Sequence, residues 1–161
     1  MKSTQIVFGL YLAISLSLVV LLIYEYCDYS MRISSIRKLE VKFYNSSICR
    51  EGDKLYLSIS LGILNEGVKE LEVTMVTYKI YFRSEIARAH SENFYGSPLV
   101  LAPGAEKIRI VKLEVPEFKL KRNIVNNTVK VTIVLDVYIK TRFGNTPVTF
   151  THEFNIYTSE L

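Results

Sequence analysis

Between residues 6 and 24 the chain reads IVFGLYLAISLSLVVLLIY, nineteen positions without a charge. Beyond Ser30 the apolar residues fall at every second position, so the pattern predicts one long helix followed by strands. At 1.5 Å per residue the apolar run spans about 28 Å, close to the hydrocarbon thickness of a bilayer. Ser15 and Ser17 are tolerated there because a hydroxyl bonds back to its own helix backbone. Tyr24, Tyr26 and Tyr29 cluster at the end of the run, where an aromatic belt would lie. A cleaved signal peptide would have a shorter apolar stretch ending in a small-residue site. The segment YEYCDYS offers no such site, and Tyr24, Glu25 and Tyr26 do not form a lipoprotein processing box before Cys27. Residues 1–29 are therefore read as a retained transmembrane anchor, in preference to a cleaved signal or a buried soluble helix, and residues 30–161 as one domain.

Within that domain, Leu39, Val41 and Phe43 alternate with Lys38, Glu40 and Lys42, as in a half-buried strand. Leu55, Leu57, Ile59, Leu61 and Ile63 repeat the pattern and run into turn chemistry at Asn65-Glu66-Gly67. Residues 70–82 begin with Leu71, Val73 and Met75 on one face and finish with Val76, Tyr78, Ile80 and Phe82 on the other. A bulge near Met75 and Val76 would reconcile the two phases. A shorter strand is expected over 86–92, and Pro98 and Pro103 mark loops around 99–101. Residues 107–115 are strand-like with a second phase shift expected near Ile110 and Val111, and Pro116 ends them. Residues 117–127 lack alternation and read as a short helix or an ordered loop. The cleanest strand covers Val129, Val131, Ile133, Leu135, Val137 and Ile139. A turn at 142–146 leads to the last strand, with Val148, Phe150, His152, Phe154 and Ile156 on one face. Seven short strands with regular turns predict an antiparallel β-sandwich of the immunoglobulin or fibronectin III kind behind one transmembrane helix.

Composition narrows the classes further. With 161 residues, two Cys, seven Gly and four Pro, the chain is no collagen, low-complexity segment or cysteine-stapled mini-protein. Beyond Ser30 it carries 19 Lys+Arg against 14 Asp+Glu, an excess of five. Basic residues gather at Lys119, Lys121 and Arg122 and along Lys107, Arg109 and Lys112. Acids interleave with them, which suits a solvated face, acidic lipid or an acidic partner better than nucleic acid. Positive-inside counting of Arg32, Arg37, Lys38 and Lys42 leans toward a cytoplasmic domain. The sequons at Asn45 and Asn126 matter only outside, and an extracytoplasmic domain is the preferred reading.

Candidate chemistry is sparse. Two His and two distant Cys argue against a zinc cage. His152, between Phe150 and Phe154, reads as a core or strand-end histidine before it reads as a ligand or base, and His90 lacks a carboxylate–serine arrangement nearby. No G-x-S-x-G, P-loop or G-x-G-x-x-G occurs. Neither an enzyme nor a cofactor, metal or small-molecule substrate is expected. Cys27 and Cys49, separated by 21 residues, would pair outside the cell or stand as two free thiols. Gly9, Ala13 and Ser17 recur every four residues, a small-xxx-small stripe that would let a second transmembrane helix approach closely.

The order of features resembles the late-embryogenesis-abundant type 2 domain, also called the water-stress-hypersensitive-response (WHy) domain. The carriers are the L-x-L-x-I-x-L-x-I strand ending at Asn65, a second hydrophobic strand, the L-x-P-G of Leu101 to Gly104, and the strand closing at Val115-Pro116. The resemblance covers residues 36–158. Of the family's Asn-Pro-Asn, only Asn65 is present, with Glu66 and Gly67 in the other places. Resemblance implies a fibronectin-like sandwich, often behind one membrane helix, that binds or scaffolds and has no established catalytic site. It implies a turn-forming role for Asn65. The expected function is thus a membrane-anchored, non-enzymatic binding or scaffolding module, an accessory subunit contacting the bilayer and other membrane-protein subunits. The alternatives are a stress-related envelope protein acting on lipids or surfaces, and an extracellular filament subunit.

Overall fold

Among the described residues, helix α1 (Lys2–Arg37) leads into eight strands and one short helix: β1 (Leu39–Glu51), β2 (Lys54–Asn65), β3 (Leu71–Phe82), β4 (Glu85–Asn93), β5 (Leu99–Leu101), β6 (Glu106–Val115), α2 (Glu117–Arg122), β7 (Thr128–Thr141) and β8 (Gly144–Tyr157). This is a computed structural model, which describes residues 2–157, with side chains from Gln5 onward. One sheet has the order β1-β2-β6; the other runs β4-β3-β7-β8, with β5 paired to the start of β3. All pairings are antiparallel. The alternating residues of β2 (Leu57, Ile59, Leu61, Ile63) and of β7 (Val131, Ile133, Leu135, Val137) are fully buried in one shared core. The two sheets therefore bury their apolar faces against each other, as period-two patterning requires.

The helix passes through residue 29 without a break and continues thirteen residues beyond Tyr24. No Gly or Pro interrupts 24–37, and Ile33 and Ile36 pack against the core of the sheets. The β3 irregularity lies between Val73 and Met75, slightly before the expected place. There Thr74 turns inward and its hydroxyl donates to the Tyr138 carbonyl at 3.2 Å. The phase shift expected near Ile110 and Val111 is absent: β6 keeps one register against β2 from Glu106 to Val115. Ile108 and Ile110 instead stand on the outer face, 63% and 75% exposed. Their pattern misled because an edge strand can leave apolar residues in solvent. β5 makes an eighth strand where only loop-flanked residues were expected, and 117–122 is helical, with Leu120 buried.

Both seams between the sheets carry polar side chains. At one, His152 stacks on Phe43 with ring centroids 4.3 Å apart, joining β8 to β1. At the other, Arg109 of β6 donates to Glu92 of β4 at 2.7 Å, and the Tyr78 hydroxyl donates to the same carboxylate at 2.8 Å. Burial, reinforced by the Glu92 charge, pushes the Tyr78 phenol well above its ordinary range.

On the outer face of the second sheet, Asp136 accepts from Thr149 at 2.7 Å, Lys79 at 2.9 Å and Thr77 at 3.3 Å. Burial alone would push its carboxyl up. The hydrogen bonds from Thr149 and Lys79 outweigh that and hold it below the ordinary carboxylate range. A lowered folded pKa gives stability that is present above the unfolded value and lost as pH falls. Asp136→Asn should therefore cost about 1–2 kcal/mol at pH 7, with the gap closing below about pH 4. Urea unfolding of both proteins at neutral and acid pH measures this; an equal gap at both would refute it.

Candidate functional site

Strand directions bring the end of β2, the starts of β3 and β8 and the end of β7 to one end of the two-sheet domain, and the polar half of α1 docks there. Two sets of contacts hold it.

The first is centred on Asn65, which has no solvent exposure. Its side-chain amide donates to the carbonyls of Lys69 at 2.8 Å and Leu101 at 2.9 Å, and its side-chain oxygen accepts the Gly67 N–H at 3.0 Å. Its backbone N–H donates to Ala105, and its carbonyl accepts from Gly104. One asparagine thus ties the end of β2 to the next turn, to β5 and to the turn before β6, in the structural role expected. Beside it, the fully buried Ser35 of α1 accepts the N–H groups of Val68 at 3.0 Å and Lys69 at 2.9 Å, and donates to the Met31 carbonyl. Gly67 packs directly on Ser35: a Cβ there would fall 2.3 Å from the serine Cβ and 2.4 Å from its Cα. Gly67→Ala should force the helix end away and cost about 1–3 kcal/mol. Faster amide hydrogen exchange over 28–37, with the β7 core still protected, is the expected readout; unchanged protection of the helix would refute it.

The second set lies in and beside a cleft of about 430 Å³ between α1, the start of β3 and the end of β7. Lys69 pairs with Asp28 at 2.7 Å, Lys140 with Glu72 at 2.8 Å, and Arg142 with Glu25. Tyr24 and Tyr29 line the same cleft, and Phe143 at the β7–β8 turn meets Tyr29 edge-on at 5.7 Å. Phe143 is otherwise 82% exposed. Arg32 lines the cleft, half-buried, with no ion-pair partner among the described residues. Three pairs are thus neutral, and one guanidinium is left over.

The other expected residues are scattered. Gly9, Ala13 and Ser17 lie on the exposed apolar half of α1, where Ser17 donates to the Ala13 carbonyl at 2.8 Å. Asn45 is exposed beside the β1 bulge, and Asn126 is exposed in a left-handed turn with φ 51°. Cys27 and Cys49 are free thiols. Cys27 is on α1, and Cys49 lies ten residues along β1 from the docked end, so the fold does not bring them together. His90 and His152 occupy opposite edges of the second sheet. The basic cluster is largely paired: Lys119 and Arg122 with Glu85, Lys121 with Glu117, Arg109 with Glu92 and Lys112 with Glu51. The cleft, Ser35 and the packing of Gly67 on it were missed by sequence reasoning, which read Gly67 only as a turn residue. The signal was the absence of any helix breaker between Tyr24 and Lys38, together with Ile33 and Ile36 one turn apart.

No family model matches the chain, and no curated protein does. Solved structures of similar fold include a protein from Archaeoglobus fulgidus, at 19% identity and a TM-score of 0.53, covering 74% of this chain and 97% of that one. A second, provisionally described as late embryogenesis abundant (LEA), has 8% identity and a TM-score of 0.56 over 89% of this chain and 84% of its own. A third, from Arabidopsis thaliana, has 10% identity and a TM-score of 0.60 over 73% and 80%. At these identities the likeness is one of fold, and it agrees with the LEA-like fold that the sequence resemblance implied.

Proposed function

We propose that this protein is a single-pass, membrane-anchored binding or scaffolding module, without catalytic activity, that serves as an accessory subunit of a larger membrane assembly. Its two sheets form a sandwich of the immunoglobulin or fibronectin III kind, held outside the cytoplasm at the bilayer surface. The carrying observation is that α1 is one continuous helix with two different halves. Its apolar half is unburied and long enough to cross a membrane; its polar half is built into the base of the sheets through Ser35, Gly67 and Ile36. An anchor joined by a flexible linker would only localise a domain. A rigid junction also fixes the domain's height and rotation over the membrane, which suits a part that must meet neighbours in a defined geometry. The exposed sequons at Asn45 and Asn126 are compatible with the outside orientation.

Purification of the full chain in mild detergent, with identification of co-purifying proteins, tests this reading. Stoichiometric membrane-protein companions are expected. Replacing Gly9 and Ala13 together with Leu keeps the helix hydrophobic, so insertion should persist while association weakens several-fold. A lone monomer would sink the subunit reading and leave the second one, a stress-related envelope protein, which the fold likeness to a provisionally LEA-described structure favours.

A further inference from the structure

We propose that the juxtamembrane cleft holds the phosphate group of a membrane phospholipid, with Arg32 as its main ligand and Phe143 seated in the bilayer surface beside it. This rests on the anchored reading above and specifies what the base of the domain touches.

Depth is the first argument. The apolar run ends at Tyr24, and the polar layer of a bilayer adds about 5–8 Å on each side of the hydrocarbon. Asp28 and Tyr29 stand about 6–8 Å further along the helix at 1.5 Å per residue. Arg32 is one turn beyond them, but helix side chains lean toward the helix N-terminus, which here is the membrane side. Its guanidinium is thereby carried back toward the level of Asp28, with which it lines the cleft. The whole cleft opens at headgroup depth.

Charge is the second. Glu25, Asp28 and Glu72 each have a basic partner. Arg32 has none among the described residues, so the cleft keeps one positive charge with its donors uncommitted. A guanidinium presents its donors as a planar fork that matches two phosphate oxygens. Lys140 and Arg142 line the same space, each neutralised by its own carboxylate, so the net charge is that of Arg32.

The third is the rim. Phe143 is an exposed aromatic at the tip of a turn, held edge-on against Tyr29. At this depth, with Tyr24 lining the cleft, it extends the aromatic belt from the helix onto the domain. An aromatic in that position keeps the turn at the interface and the cleft mouth against the lipid.

Native mass spectrometry of the full-length protein, extracted from membranes in mild detergent and offered phosphatidylglycerol, diacylglycerol or inorganic phosphate, tests the site. The wild type should retain phosphatidylglycerol near one per chain and release diacylglycerol. Arg32→Gln should lower retention about tenfold, the worth of one charge-assisted contact. Lys54→Gln, at the far end of the domain, should change nothing, and a circular dichroism spectrum should show all variants folded. Equal retention by Arg32→Gln, equal retention of diacylglycerol, or displacement of the lipid by millimolar inorganic phosphate would each overturn the lipid site. A co-purifying protein that cross-links into the cleft in place of lipid would overturn it too. Recovery of the chain from the aqueous fraction without detergent would overturn the anchored reading itself, and the site with it.

Discussion

Replacing Ile133 with aspartate should abolish cooperative folding of the two-sheet domain. Ile133 lies at the centre of β7 with no solvent exposure, between Ile80 on β3 and His152 on β8. Its side chain points into the core shared by both sheets, among the buried residues of β2, β3 and β7. Truncating an isoleucine there costs about 2–5 kcal/mol in lost burial and cavity. A carboxylate in the same place must in addition give up its hydration, or take up a proton and still leave a polar group unsatisfied. The sum exceeds about 5 kcal/mol, comparable with the entire stability of an ordinary domain. Loss of the urea transition, with normal unfolding of Lys130→Glu, is the expected result. Lys130 is three residues away on the outer face, half-exposed, and pairs with Glu153 at 2.7 Å. Reversing its charge sets two glutamates together in water and costs at most about 1 kcal/mol. A two-state melt of Ile133→Asp near the wild-type midpoint would refute the assignment of β7 as the central strand.

The second large effect is expected at Asn65. Asn65→Ala removes three side-chain hydrogen bonds and strands the carbonyls of Lys69 and Leu101 and the N–H of Gly67. The site is buried, so water cannot replace the lost partners without opening the turn. At about 1–3 kcal/mol for each unsatisfied group, with partial relaxation, the loss should be about 3–5 kcal/mol. Asn65→Asp separates the roles: it keeps the acceptor for Gly67 and turns two donors into a charge facing two carbonyls, so it should cost as much or more. A change of under 1 kcal/mol for either variant, by urea unfolding, would show that the turn is held by its backbone bonds alone.

These two residues also show where sequence is informative. Ile133 belongs to an unbroken alternation over 129–139, and alternation has one physical meaning when a sheet has one dry face: every second residue is inside. The apolar helix, the main strands, the turn at Asn65 and the inward side of His152 follow from the same local rules. Ile108 and Ile110 show the limit. Their identity is apolar, yet they lie on the face of β6 opposite the buried Val111, Leu113 and Val115, and only the packing of one sheet on the other tells which face is left in water.

The cleft lay beyond local rules altogether. Glu25, Asp28 and Arg32 are spaced along one helix, while Lys69 and Glu72 come about forty residues later and Lys140 and Arg142 more than a hundred. Nothing in their neighbourhoods along the chain marks them as partners. Their meeting depends on antiparallel strand directions that start β3 and end β7 beside the helix, and on Gly67 lacking a Cβ where Ser35 packs. Composition and periodicity determined that this chain has a span-length apolar helix and two amphipathic sheets, because burial of apolar surface acts residue by residue. Which charges face one another, and which guanidinium is left over, was decided by tertiary packing, because an ion pair depends on distance in space and carries no period along the chain.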